Sequence, residues 1–223
     1  MKKGYFFTGR VFFLFVLALI AVASKTSEGK PQDLQDISEA EMRVLPRYCA
    51  DTQGFKYGYK GSPNYQYWES LMGPAFWHLH HYCWSLIQIN RSNRAGTPNH
   101  RRLSLREAAL GGYLYVINNS PDNFVLLPEI YTKKGEVELL LRKIQNANES
   151  FAHARKLKPD YWPAYSHWAE YLIRIGQKND ALSIVKSGLK FSPKAKVLLE
   201  QYRLLGGKPS DIPTPNETFS PTE

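Results

Sequence analysis

From Tyr161 to Pro193 apolar side chains return every three or four residues, in two runs separated by a glycine. The first run is Tyr165, Trp168, Ala169, Leu172 and Ile173; the second is Ala181, Ile184, Val185, Gly188 and Leu189. Residues at that spacing line one face of an α-helix, so the stretch predicts two amphipathic helices, over 161–174 and 178–190. Gly176 supplies the left-handed residue on which many helices end, and Pro193 closes the second run. Small residues at Ala169, Ala181 and Gly188 sit where two helices must approach closely. One period earlier the pattern returns: Ala181, Val185, Gly188 and Pro193 become Ala147, Phe151, Ala154 and Pro159, and Tyr165 and Ala169 become Tyr131 and Gly135. Trp168 and Leu172 become Lys134 and Glu138, so the first helix of the earlier unit is the poorer copy.

The same patterning predicts helices over 129–141 and 144–157, and a last one over 194–205 (Val197, Leu198, Tyr202, Leu205) that covers the open end. Upstream, Ser38 and Glu41 form a Ser-x-x-Glu capping box for a short helix stopped by Pro46. The glycine- and tyrosine-rich stretch after Pro46 has no helical period and predicts an irregular aromatic loop. Residues 65–90 predict a helix with two apolar faces, one through Phe76, Leu79, Cys83 and Leu86 and one through Trp77, His80, Trp84 and Ile87. A helix apolar on two sides is sandwiched between others. Residues 91–103 form a basic, polar insertion. Ser104 and Glu107 then cap a helix carrying Ala109, Tyr113 and Val116 up to Pro121, the spacing of Ala181 to Pro193.

This order of residues over 161–193, with its copy one period back, resembles the tetratricopeptide repeat, whose unit is about 34 residues. Residues 65–121 read as a divergent, insertion-bearing first repeat. The resemblance implies an all-α fold, a right-handed superhelix of tetratricopeptide-like helical hairpins with a C-terminal capping helix. Such units bury their apolar faces only against neighbours. It further implies that the first helices line a concave groove for an extended partner segment. On this chain the groove positions are His78, Tyr82, Ser85, Thr132, Glu136, Ser166, Glu170 and Arg174. Chaperone-binding members grip a terminal carboxylate there with Lys, Arg and Asn. This chain carries mostly acids and hydroxyls, which argues against that ligand.

Composition adds a compartment. The 43% hydrophobic and 13% aromatic content excludes wholesale disorder. A basic start (Lys2, Lys3, Arg10), an apolar run from Val11 to Val22 and Ala21-Val22-Ala23 before Ser24 are the layout of a secretory signal peptide over residues 1–23. The other reading, an uncleaved inner-membrane anchor over 11–23 facing the periplasm, has a run short for a span of about 20 residues. Cleavage leaves 26 basic and 20 acidic residues spread along the chain. Nucleic-acid binding would concentrate that charge on one face. The domain map is then a signal peptide (1–23), a tether and short helix (24–45), an aromatic, Cys- and His-rich segment with the first repeat (46–121), repeats and capping helix (122–207) and a Pro/Thr/Ser-rich disordered tail (208–223). Leader and repeat style resemble a bacterial exported protein.

Candidate chemistry is sparse. Cys49 and Cys83 are even in number in a chain read as exported, where thiols pair. A bridge would close a 35-residue loop and stabilise by about 3–4 kcal/mol in the chain-entropy model; the alternative is Cys83 as a buried apolar residue. His78, His80 and His81 suggest a metal, but one helix offers at most two ligands on a side and a structural zinc wants four. No metal is assigned, and His78 and His81 are only weak candidates. The plainer reading packs these histidines among Trp77, Tyr82 and Trp84. No nucleophile elbow, phosphate loop, zinc-protease helix or carboxylate pair is present, so neither catalysis nor a cofactor is expected. The leading reading is a non-catalytic, exported adaptor of the bacterial cell envelope that binds a protein or peptide and not nucleic acid. Its rivals are a metal- or haem-handling periplasmic protein and an accessory subunit of an envelope enzyme complex.

Overall fold

The computed structural model describes residues 37–58 and 62–212; the expected signal peptide, most of the expected tether and the tail from 213 onward lie outside the described residues. The fold is all-α, with no strand among the described residues. A short helix α1 (Glu39–Arg43) precedes a 3₁₀ turn at Arg47–Asp51, α2 (Tyr65–Met72) and a second 3₁₀ turn at Pro74–His78. Three hairpins follow in series, α3/α4 (Leu79–Ser92, Asn99–Asn118), α5/α6 (Leu127–Leu140, Ile144–Leu157) and α7/α8 (Pro163–Arg174, Lys178–Phe191), and α9 (Lys196–Leu204) closes the end. Each helix packs on the next, and α5 packs on α7 and α7 on α9, the serial pattern of a superhelical array. No helix of the described residues is long and apolar enough to cross a membrane.

Local chemistry sets the boundaries. The Ser38–Glu41 capping box forms as expected: Ser38 Oγ accepts from the Glu41 amide at 3.2 Å and the Glu41 carboxylate accepts from the Ser38 amide at 3.0 Å. The helix expected across 65–90 is broken in two. Gly73 takes φ +71°, and Pro74 has no amide to continue the ladder. The expected insertion at 91–103 is mostly helical: α3 runs to Ser92, and α4 begins at Asn99 behind an extended Pro98. Ser104 and Glu107 therefore lie inside α4 and cap nothing. The Arg102 side chain explains the short turn, donating to the carbonyls of Ser92 at 3.2 Å and Thr97 at 3.1 Å. At the C-terminus, Pro209–Asp211 adds a 3₁₀ turn and Ile212 packs on the core, so order extends into the expected tail.

The repeat register holds in the core. Ala109, Tyr113 and Val116, then Ala147, Phe151 and Ala154, then Ala181 and Val185 are all buried. α6 and α8 begin at Ile144 and Lys178, 34 residues apart. Close approach uses glycine: a methyl at Gly112 would stand 2.9 Å from the His81 carbonyl oxygen, and at Gly188 2.8 Å from both Tyr165 and Leu198.

Two apolar clusters form, one from Leu45 to Val137 and one from Ala147 to Tyr202. Between them, at the α5–α6 interface, the non-apolar copy residues find partners. Lys134 Nζ donates to Glu138 at 2.7 Å and to Ser150 Oγ at 2.8 Å, and Ser150 donates to Glu138 at 2.6 Å. Glu138 is 2% exposed.

The Cys49–Cys83 disulfide is present, with Cα atoms 5.7 Å apart. It ties the aromatic segment to α3. The segment is further held by buried Asp51, which accepts from Ser62 Oγ and, at 2.8 Å, from Trp68 Nε1.

Candidate functional site

The residues expected on the groove separate into three sets. Glu136, Glu170 and Arg174 come together and line an open groove of about 440 Å³ between α5 and α7, with Leu139, Leu140, His167, Tyr171 and Ile175. Tyr82, Ser85, Thr132 and Ser166 do not line it; each is at most 1% exposed. They occupy the turn of the helix that faces the neighbouring helices. Ser85 and Thr132 return their hydroxyls to carbonyls one turn back in their own helices, at 2.8 Å each, which lets a small polar side chain sit in a tight interface. The Tyr82 hydroxyl donates to Glu129 of α5, and burial pushes its pKa well above the usual phenol range. His78 lies at the end of the turn before α3, its ring 5.6 Å from that of Tyr115.

The groove is asymmetric. At one end His167 stands between two carboxylates, its Nε2 3.2 Å from Glu136 and its Nδ1 3.5 Å from Glu170. Lys133 lies 3.0 Å from Glu136. Glu170 is also reached by Ser166 Oγ and by Gln201 Nε2 of α9, both at 3.4 Å. At the other end Arg174 does not pair with Glu170 four residues earlier; its guanidinium lies over the Tyr171 ring at 5.9 Å, and Ile175 is half-exposed beside it.

Leu139, Leu140, His167, Tyr171 and Ile175 also line the groove and are not among the positions that the repeat resemblance implies. Their signal was there: Glu136, Leu139 and Leu140 on α5, and His167, Glu170, Tyr171 and Arg174 on α7 with Ile175 directly after it, recur at three- and four-residue spacing. That stripe is the buried one, Tyr165, Trp168, Ala169 and Leu172, moved on by two residues.

The histidine-rich turn forms a ring stack. His80 and His81 rings are 4.2 Å apart, His81 and Tyr115 3.7 Å, and His80 Nδ1 lies 2.9 Å from the Trp77 carbonyl. Burial lowers all three imidazole pKa values, that of His81 to about 4, with the neighbouring histidines adding to it. Among the described residues no group of three or more His, Cys, Asp or Glu converges as a metal would require.

No family model matches the chain, and no curated protein matches it. Among solved structures the chain is similar to the first TPR of Spaghetti (RPAP3) bound to the HSP90 peptide SRMEEVD, with 17% identity, a TM-score of 0.40, and 56% of this chain and 94% of that chain covered.

Proposed function

We propose that this chain is a non-catalytic, exported adaptor of the bacterial cell envelope, working in the periplasm, that holds an extended segment of a partner protein in the groove between α5 and α7. The observation that carries the reading is the groove itself. It is open and half apolar, and it places charged side chains of both signs on two rigid helices. Solenoids use such faces for extended ligands, and mixed polar and apolar linings give orientation together with area. The short apolar leader supports export, and a disulfide agrees with an oxidising compartment.

The test is cross-linking capture in the native compartment with Glu170→Lys/Arg174→Glu against an outer-face control, Lys186→Glu/Lys190→Glu. Both pairs are surface charges and should leave folding nearly intact. Capture of the partner should fall at least tenfold, about 1.4 kcal/mol, only in the groove variant. If the outer-face variant alone loses it, the binding face is wrong. N-terminal sequencing of the isolated protein should find Ser24 first; Met1 on most of it would remove export from the proposal.

A further inference from the structure

Two turns of the array lie side by side, one between α6 and α7 and the next between α8 and α9: Ser192 Oγ donates to the Asp160 carbonyl at 2.8 Å. They are one repeat apart, so Leu157 and Phe191 take equivalent places at the ends of α6 and α8. Residues 156–163 and 190–197 hold five lysines and a single acid, Asp160, a local excess that the charge spread along the whole chain conceals. The ammonium groups of Lys158, Lys194 and Lys196 are exposed and have no partner among the described residues. In the same stretches Phe191 is 54% exposed, and Trp162 and Val197 are more than a third exposed. The Trp162 indole N–H also has no partner among the described residues. Helix ends explain part of this pattern, because a cation near the last carbonyls is favourable; that covers Lys158 after α6 and Lys156 and Lys190 within the last turns of α6 and α8. It does not cover Lys194 and Lys196. Lys196 is the first residue of α9, where the helix dipole disfavours a cation, and neither a capping side chain nor an acid in the first turn offsets it.

We propose that this edge of the array rests on the surface of an anionic phospholipid bilayer, with Lys158, Lys194 and Lys196 at the phosphates and Trp162, Phe191 and Val197 at headgroup depth. The inference is independent of the groove between α5 and α7, which uses none of these residues. Charge complementarity and the mixture of side chains together choose the occupant. An acidic soluble partner would be served by the lysines alone and leave the aromatic and aliphatic tips in water. A bilayer interface takes both, since phosphates and acyl chains lie within a side chain's length of each other and aromatic rings collect at that depth. Lysine suits this role, because its long apolar stem lies along the apolar surface while the ammonium stays at the phosphates. Each lysine near an anionic membrane surface contributes about fivefold in affinity. Three lysines with three partly exposed apolar side chains therefore give reversible, peripheral attachment that weakens as salt shortens the screening length.

The probe is the full chain mixed with vesicles of phosphatidylcholine alone or of equal parts phosphatidylcholine and phosphatidylglycerol, read by co-sedimentation. Affinity for the mixed vesicles should exceed that for phosphatidylcholine at least tenfold and fall steeply with added salt. Lys158→Ser/Lys194→Ser/Lys196→Ser should lose at least tenfold on the mixed vesicles. Lys143→Ser/Lys178→Ser/Lys186→Ser, which removes three exposed and unpartnered lysines elsewhere, should lose little. Trp162→Ser/Phe191→Ser should also weaken binding several-fold, and Phe191→Ser alone serves if the pair unfolds. On the mixed vesicles amide exchange should slow at 157–162 and 191–197, a readout that an uncleaved leader does not imitate. Equal losses in the two lysine triples, or protection only elsewhere, overturn the proposal. So does binding to soluble polyglutamate as tight as to the mixed vesicles and indifferent to Trp162 and Phe191, which would make the edge a site for an acidic protein. None of these variants touches the groove, so any of those failures leaves the groove reading standing.

Discussion

Arg142 is the described non-glycine residue with a positive φ, +60°. It occupies the place of Gly176 one period later, and the two turns share their bonds. Lys143 N–H donates to the Glu138 carbonyl as Gln177 does to Leu172, both across five residues, the pattern of a Schellman helix end. A side chain in that conformation costs about 1 kcal/mol, which glycine avoids. Arg142→Gly should therefore raise stability by about 0.5–1 kcal/mol, net of the freedom glycine adds to the unfolded chain, read from the urea midpoint at constant slope. Glu41 makes the opposite argument, for a charge that is firmly held. It is 6% exposed and bonded by Arg91 Nε at 2.6 Å, by Arg94 at 2.6 Å and by the Ser38 amide. The Arg91 hydrogen bond, above all, holds its carboxyl down at about 2. The stability this gives is present above the unfolded pKa of 4.5 and is lost as pH falls toward about 2. Glu41→Gln should cost about 2 kcal/mol at pH 7 and flatten the acid limb of the stability profile. The half-buried histidines act earlier: with lowered folded-state pKa values, they withdraw stability as pH falls below their ordinary value of 6.5, His81 down to about 4.

At the scale of the element, α5 shows how a defective copy of a repeat is repaired. Lys134, Glu138 and Ser150 stand where the next unit has Trp168, Leu172 and Ile184. Each would be a fault alone, but they satisfy one another at 2.6–2.8 Å. Removing one partner strands a buried carboxylate, so Lys134→Met should destabilise by about 3–5 kcal/mol. The triple change Lys134→Met/Glu138→Leu/Ser150→Ala should be neutral or stabilising, since a well-packed apolar set avoids the desolvation of two charges. Thermal midpoints of the two variants, measured together, check both statements. A triple variant as unstable as the single one would mean that packing, and not charge, decides this interface. Ala181 tests the opposite fault. It is fully buried, and Ala181→Leu should overpack the α7–α8 contact by about 1–3 kcal/mol and lower the midpoint by several degrees.

Across the whole array the units depend on one another, because each hairpin buries its apolar face against the next. Among the described residues no hairpin precedes α3. There the aromatic segment packs Tyr48, Phe55 and Leu45 into the same core as Tyr82 and Tyr113, and the disulfide holds it in place. The C-terminal end is closed by Leu198 and Tyr202 of α9. Reduction should therefore act first on this aromatic cap. Cys49→Ala/Cys83→Ala is expected to lose about 2–4 kcal/mol, with amide exchange rising in 46–58 and α2 before α7 and α8. Uniform loss of protection would show that the bridge supports the array as one cooperative unit.

Helix positions, hairpin order, the capping box and the pairing of the two cysteines were legible in the sequence, because periodicity, caps and cysteine count are local or one-dimensional signals. So were Glu136, Glu170 and Arg174 as groove residues. Tertiary structure decided most of the rest. Thr132 and Ser166 differ from groove positions by a rotation about the helix axis, and only the neighbouring helices fix which stripe is buried. The break at Gly73-Pro74 is a local signal that the helical reading of 65–90 passed over, since proline removes an amide donor, and the early start of α4 rests on Arg102 closing the turn onto Ser92 and Thr97. The Lys134 triad is unreadable along the chain, since its satisfaction comes from Ser150 on another helix. His167 gained its place between two carboxylates only when α5 was laid beside α7, because an acid three residues away is common on any helix and one from the neighbouring repeat is not.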